Sequence, residues 1–117
     1  MRKKIDEKGT VHFVEDEQEL AVLAADFDPK TKALALTISG SLLINVQPYL
    51  AAELQFYNAV DINEMTVDCD GIVTIAPGCF MELFNLKLSK EASGTKVSFI
   101  NKVTCIVKLE KVTGKKL

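Results

Sequence analysis

The stretch from residue 66 to residue 101, TVDCDGIVTIAPGCFMELFNLKLSKEASGTKVSFIN, restricts the possible folds more than any other. Thr66-Val67-Asp68-Cys69 alternates polar and apolar residues as a short strand does, and Ile72-Val73-Thr74-Ile75 continues it after Asp70-Gly71, which reads as a turn. Ala76-Pro77-Gly78-Cys79 then opens a helix carrying Phe80, Leu83 and Phe84. Proline suits that position, because the N–H it lacks is one that a helix start leaves unpaired anyway. Glu91-Ala92-Ser93-Gly94 breaks the helix, and Thr95 to Ile100 reads as the next strand. Strand, helix, strand in this spacing is the βαβ unit of a parallel sheet.

Upstream, Leu20 to Phe27 and Ala33 to Gly40 flank Asp28-Pro29-Lys30-Thr31-Lys32, a turn signal that predicts a β-hairpin. The second arm alternates Leu34, Leu36 and Ile38 and ends at Gly40; the first is alanine-rich and is also compatible with a helix. Ser41 to Asn45 form a connection to a helix from about Val46 or Gln47 to Ala59. Val46, Leu50, Leu54 and Tyr57 make one apolar stripe of that helix, with Asn45 as cap and Pro48 in the first turn. Thr10 to Val14 is a strand candidate, and Glu15 to Glu19 a solvated acidic turn. Residues 1–9 read as a flexible tail, leaving 10–117 as a single domain. Residues 102–114 fit two patterns: a helix capped by Asn101 and stopped by Gly114, or a strand alternating Val103, Cys105, Val107 and Leu109.

With 117 residues, 48% of them hydrophobic, one core forms without disulfides or metal. No apolar run approaches the roughly 20 residues of a membrane span and no signal-peptide core follows Met1, so the expected protein is soluble and cytoplasmic. Residues 1–70 hold 13 acids and 6 bases, and residues 71–117 hold 3 acids and 8 bases. The lysines are not interleaved with aromatics as in a nucleic-acid surface, so nucleic acid is not an expected partner.

Catalytic and cofactor chemistry has little to stand on. Cys69, Cys79 and Cys105 match no zinc spacing and read as reduced, buried thiols. Cys79 alone sits where a helix N-terminus can lower a thiol pKa. The single histidine, His12, has no nucleophile in its neighbourhood and reads as a half-buried strand residue. Asp68 and Asp70 read as closing a strand and starting the Asp70-Gly71 turn. The six glycines form no phosphate loop. No enzyme activity, cofactor or metal is expected.

The order of hairpin, helix, strand, turn-helix, strand and final segment resembles the STAS domain of anti-sigma-factor antagonists. The resemblance rests on Leu36-Thr37-Ile38-Ser39-Gly40 before the first helix and on Val67-Asp68-Cys69 leading to Ala76-Pro77-Gly78. Gly94 to Asn101 and the terminal Leu109…Thr113-Gly114 complete it. It implies an α/β fold, a mixed sheet of four to six strands with helices mainly on one face, and a helix rather than a strand at 102–113. In phosphorylated members the turn before the second helix carries Asp-Ser-Ser/Thr-Gly, and the residue before the glycine accepts phosphate. Aligned on Gly78, those positions here are Ile75, Ala76 and Pro77, a degenerate loop without a hydroxyl. The resemblance places a partner-binding edge at Ala76, Pro77, Gly78, Cys79 and Phe80 beside the Ser41–Asn45 loop. The implied partner is another protein: an anti-sigma kinase, a transporter or a signalling assembly, with a homo-oligomer also open. The alternative is a small-ligand or nucleotide-binding module, with an anion at the second helix's N-terminus.

Overall fold

A computed structural model describes all residues, 1–117. Six strands form one sheet in chain order: β1 Arg2–Ile5, β2 Val11–Glu15, β3 Gln18–Asp28, β4 Ala33–Leu42, β5 Glu64–Ile75 and β6 Lys96–Ile100. β1 to β4 pair antiparallel; β4, β5 and β6 run parallel. The connections between the parallel strands carry α1 Gln47–Asn58, preceded by a 3-10 turn at Ile44–Val46, and α2 Pro77–Ala92; α3 Thr104–Thr113 follows β6. This is the mixed α/β sheet that the sequence and the resemblance imply, and residues 104–113 are helix.

Strand alternation decides where the core lies. Phe13, Ala21, Leu23, Leu36, Ile38, Val67 and Phe99 sit side by side across the pairing registers and are all buried. They join Leu50 and Leu54 of α1, Phe80 and Leu83 of α2 and Ile106 of α3 in a single cluster of 23 residues, so the chain has one core. The alternate positions, among them Val22, Ala35, Thr37, Thr66, Asp68 and Ser98, are half-buried or exposed. The helices therefore cover one face and leave the other to water.

Three local readings are corrected. Residues 2–5 are not a loose tail but an edge strand; its side chains are all exposed, and what holds it is backbone pairing with β2. β4 does not end at Gly40 but runs to Leu42. Asp70-Gly71 is not a turn: β5 passes straight through it. Three residues of β4 (Thr37 to Ser39) face four of β5 (Asp68 to Gly71), a β-bulge, and a second shift lies opposite Gly40/Ser41. The Asp68 carboxylate makes the first bulge tolerable by accepting the Asp70 N–H at 3.0 Å and the Asn101 amide at 3.1 Å. Those bonds hold its pKa below the usual carboxylate value, the Asp70 bond contributing most. Asn101 is thus spent on Asp68 and caps nothing: Val103 occupies the α3 N-cap without a side-chain bond, whereas Gly114 (φ 71°) does stop the helix.

The acidic run forms a tight hairpin, with Asp16 and Glu17 both at positive φ (50° and 63°), the geometry that matches strand twist in two-residue loops. Beside it, His12 sits on the open face. Its Nε2 pairs with Asp6 at 2.9 Å and its Nδ1 with Glu19, and Lys4 stands next to it in register. Arg2 and Glu17 complete the surrounding charges. The hydrogen bonds to Asp6, then to Glu19, raise the His12 pKa.

Because His12's folded pKa lies above its unfolded value, its contribution to stability is complete below about pH 6.5 and disappears as pH rises through the raised folded value. Amide exchange in β1 and β2, corrected for intrinsic rate, is therefore expected to lose protection between neutral and alkaline pH, and His12→Gln to flatten that dependence. A second expectation concerns Gly40 (φ 93°), where a Cβ would lie 2.3 Å from the Leu20 carbonyl oxygen of the neighbouring strand. Gly40→Ala combines left-handed strain with a backbone clash and is expected to cost more than about 2 kcal/mol in denaturant titration. Gly94→Ala, at φ 91° with open space around it, is expected to cost about 1 kcal/mol.

Candidate functional site

The edge that the resemblance singles out lies at the carboxyl ends of the parallel strands, where ligand and partner sites of open α/β sheets gather. Ser41 pairs with Thr74 and Leu42 with Ile75 at the ends of β4 and β5. The chain then turns at Ala76 (φ −71°, ψ 147°), the N-cap of α2, whose N–H donates to the Leu42 carbonyl at 2.8 Å and whose carbonyl accepts from Phe80 N–H at 3.0 Å. Pro77 is the first helical residue and is exposed. So the strand-to-helix turn is built as read, with a proline where a helix start can best use one.

The expected contact residues divide sharply. Ser41, Asn45, Ala76 and Gly78 are half-buried and Pro77 is exposed, but Cys79 and Phe80 are wholly enclosed in the core, as is most of Ile75. Cys79 and Phe80 therefore offer a partner no surface. They fall on the inner face of α2 with Leu83 and Leu86, one helical turn apart, and packing on the sheet fixes that face. Gly78 touches Gln47 of α1: a Cβ there would stand 2.1 Å from the Gln47 Oε1. Any larger side chain at position 78 first has to displace Gln47.

Asn45 is not the cap of α1. Val46 is, with no side-chain bond, while Asn45 Nδ2 donates to Glu15 Oε2 at 2.5 Å and ties the loop to the end of β2. Asn45 Oδ1 is buried without a partner.

Cys79 is no activated thiol. Its Sγ lies 3.4 Å from the Leu43 carbonyl, and burial, with a smaller push from Glu82, drives its pKa up to about 11. Burial does the same to Cys69, also to about 11. The desolvation of the thiolate outweighs the helix N-terminus. All three cysteines are free.

What the residue-by-residue reading missed is apolar. Ile44 is 77% exposed and Val73 75%, and Leu43 is exposed as well, all at this end of the sheet. A signal for two of them was present: Leu42-Leu43-Ile44 are three successive apolar residues between a strand end and a helix, and only Leu42 finds the core. Val73 is the residue of the second β5 irregularity, so its exposure follows from a register shift that periodicity does not reveal. With Pro77, these exposed side chains are apolar, as residues at an interface centre are, and the Glu15 carboxylate bonded to Asn45 stands at their border.

Thiol accessibility supplies a check. At pH 8, Cys105, half-buried and on α3, is expected to react readily with a soluble maleimide, and Cys69 and Cys79 only after unfolding, as read by peptide mapping.

No family model and no curated protein matches the sequence. Solved structures do. The STAS domain of an anti-sigma-factor antagonist from Rhodobacter sphaeroides superposes with a TM-score of 0.59 at 14% identity, over 70% of this chain and 87% of that one. An anti-sigma factor antagonist from Mycobacterium paratuberculosis gives 0.66 at 11% identity, over 80% and 78%. At such identities the likeness is one of architecture: the six-stranded mixed sheet with three helices is a STAS-like fold.

Proposed function

We propose that this protein is a non-enzymatic regulatory or scaffolding module that binds another protein through the edge formed by Leu43, Ile44, Val73 and Pro77. The observation that carries this reading is the exposure of those apolar side chains beside the α2 start, the place where the resemblance to antagonists puts partner contacts. The partner is of the kind met by such modules: an anti-sigma kinase-like protein, a transporter or a signalling assembly.

The edge works without the phosphate switch of the antagonists. The acceptor positions hold Ile75, Ala76 and Pro77; the first is buried, and none has a hydroxyl. Thr74 is exposed, but it is held in β5 opposite Ser41 rather than presented on a loop. A partner therefore meets an apolar surface of constant charge. Binding is constitutive, governed by concentration and competition rather than by modification.

The ligand-binding alternative is less well supported by the same geometry. An anion at the α2 start needs free N–H groups. Ala76 gives its own to Leu42, Pro77 has none, and Gln47 covers Gly78.

The test uses surface substitutions that leave the core alone. Ile44→Asp and Val73→Asp together are expected to change stability by no more than about 1 kcal/mol, since each site is solvent-exposed, and to abolish capture of the partner retained by the wild-type protein in a pull-down from the native host's extract. Equal capture by the double variant would reject this edge. Incubation with anti-sigma-type kinases and ATP is expected to leave residues 73–80 unlabelled by mass spectrometry; stoichiometric phosphate on Thr74 or Ser41 would show that a switch is present after all.

A further inference from the structure

Away from the edge at the α2 start, the lane beside the second half of β3 is empty. β2 pairs with β3 only as far as Val11 opposite Leu23, whereas β3 continues through Ala24, Ala25, Asp26 and Phe27 to Asp28, paired on its other side with β4 in unbroken antiparallel register. The chain before Val11 does not fill the lane. The β1–β2 turn closes on itself, with the Asp6 N–H on the Thr10 carbonyl and the Thr10 N–H on the Asp6 carboxylate, both at 3.1 Å. Residues of an antiparallel strand direct their N–H and C=O groups alternately to one side and the other, so every second residue of 24–28 points both groups into the lane. No backbone group outside the strand ladders pairs with them. Unpaired groups on a straight strand edge are complementary to one kind of ligand, another extended backbone.

The two faces of β3 say which side chains such a backbone carries. Ala21 and Leu23, on the helix-covered face beside β2, are buried; Ala25 and Phe27 continue the same face past the end of β2 and are exposed. Phe27 also lines an apolar hollow of about 200 Å³ with Leu34, Phe56, Tyr57 and Val60. Phe27 (39%) and Phe56 (65%) are the most exposed of the chain's six phenylalanines. A strand in the lane therefore sets its helix-side residues against uncovered apolar groups. On the open face its cross-strand neighbours are Asp26, which makes no ion pair, and Asp28, which accepts the Lys30 N–H of its own turn at 2.9 Å. Like charges directly opposite destabilise a strand pair, so the open-face positions of the added strand exclude Asp and Glu and favour Lys, Arg or Thr. The same repulsion opposes a second copy pairing through this edge. With faces matched, the full two-fold pairing of 24–28 sets Asp26 against Asp26, and the next register sets it against Asp28.

We propose that a partner protein adds an extended segment to β3 in this lane, as a strand collinear with β2. Its backbone pairs with the outward N–H and C=O groups of residues 24–28. Its residues toward the helices are apolar and cover Ala25, Phe27 and Phe56; those between them are Lys, Arg or Thr beside Asp26 and Asp28.

The test is a selection of random displayed dodecapeptides on the wild-type protein, with counter-selection on Ala25→Lys, which sets a charge in the lane from an exposed site. Circular dichroism melting first verifies that this variant is folded; Phe56→Ser, outside the strand, serves if it is not. Enriched peptides are expected to carry apolar residues at every second position of an extended run, with no Asp or Glu between them. A synthetic representative is expected to bind Ala25→Lys and Phe56→Ser at least about tenfold more weakly than wild type. Its binding should slow amide exchange at alternate residues of 24–28. N-methylation of the amides along one edge of the peptide should abolish binding, and along the other edge should leave it intact. Absence of enrichment over Ala25→Lys, apolar residues at helical spacing, acids at the intervening positions, or unchanged exchange in 24–28 would each overturn the proposal. So would concentration-dependent self-association in sedimentation that Ala25→Lys abolishes, since the occupant would then be a second copy.

Discussion

The parallel pairing of β4 with β5 is the contact on which everything else in this molecule hangs. Leu34, Leu36 and Ile38 meet Met65 and Val67 across it, and the helices that connect and follow these two strands pack on that row. Parallel strands need a crossover between them, so the pairing also forces α1 to exist and to travel the length of the sheet. The two ends of α1 consequently stand at opposite ends of the molecule: Gln47 against Gly78, and Phe56 above the start of β4. The candidate edge beside the α2 start is a by-product of that single crossover. The antiparallel strands on the other side add a hydrophobic row, with Phe13, Ala21 and Leu23, but open no connection of comparable length.

Two loops of polar bonds keep the crossover in place. At the end that holds the starts of β5 and β6, Lys90 is buried in α2 and donates to the Val60 carbonyl at 2.8 Å, while Thr95 Oγ1 donates to the Ile62 carbonyl at 2.6 Å. These close the loop after α1 onto the loop after α2, so one lysine head group near two helix ends satisfies a carbonyl that the core would otherwise leave bare. The chain's C-terminal residues are tied in a comparable way: buried Glu110 accepts from Lys102 at 3.0 Å and from the Leu117 N–H at 2.9 Å. Each of these charged groups is enclosed with a partner, the condition under which burial of charge is tolerable.

The large elements were legible because each repeats an apolar residue at its own period: Leu34, Leu36, Ile38 for a strand; Val46, Leu50, Leu54 for a helix. What was not legible lacked a period or used residues twice. β1 has four exposed side chains, so nothing in Arg2-Lys3-Lys4-Ile5 marks a strand; only pairing with β2 makes it one. Asp70-Gly71 has the composition of a turn, and the Asp68 carboxylate instead lets the strand absorb an extra residue there. Asn45 and Asn101 have the right type and position for helix caps, and long-range partners, Glu15 and Asp68, take them. At the candidate edge, the location of the turn and its lack of hydroxyls were readable. Which side chains emerge from it was not: Cys79 and Phe80, counted with the partner-binding edge, face the core from α2, and the exposure of Val73 follows from a β5 register shift that periodicity does not reveal.

The two edges of the sheet have a bearing on how this protein survives at high concentration. An open sheet whose outer strands carry unpaired backbone groups invites neighbouring copies to extend it into fibrils. Here β1 carries Arg2, Lys3 and Lys4, of which Arg2 pairs with Glu17 and Lys3 with Glu53, and β6 begins with Lys96, so both borders are short and carry charged side chains. A copy that adds a strand at either border has to strip water from these charged side chains. Such protection is electrostatic and fades within a Debye length of about 8 Å at physiological salt. It guards against strand addition at contact range while leaving the rest of the surface free to attract a partner.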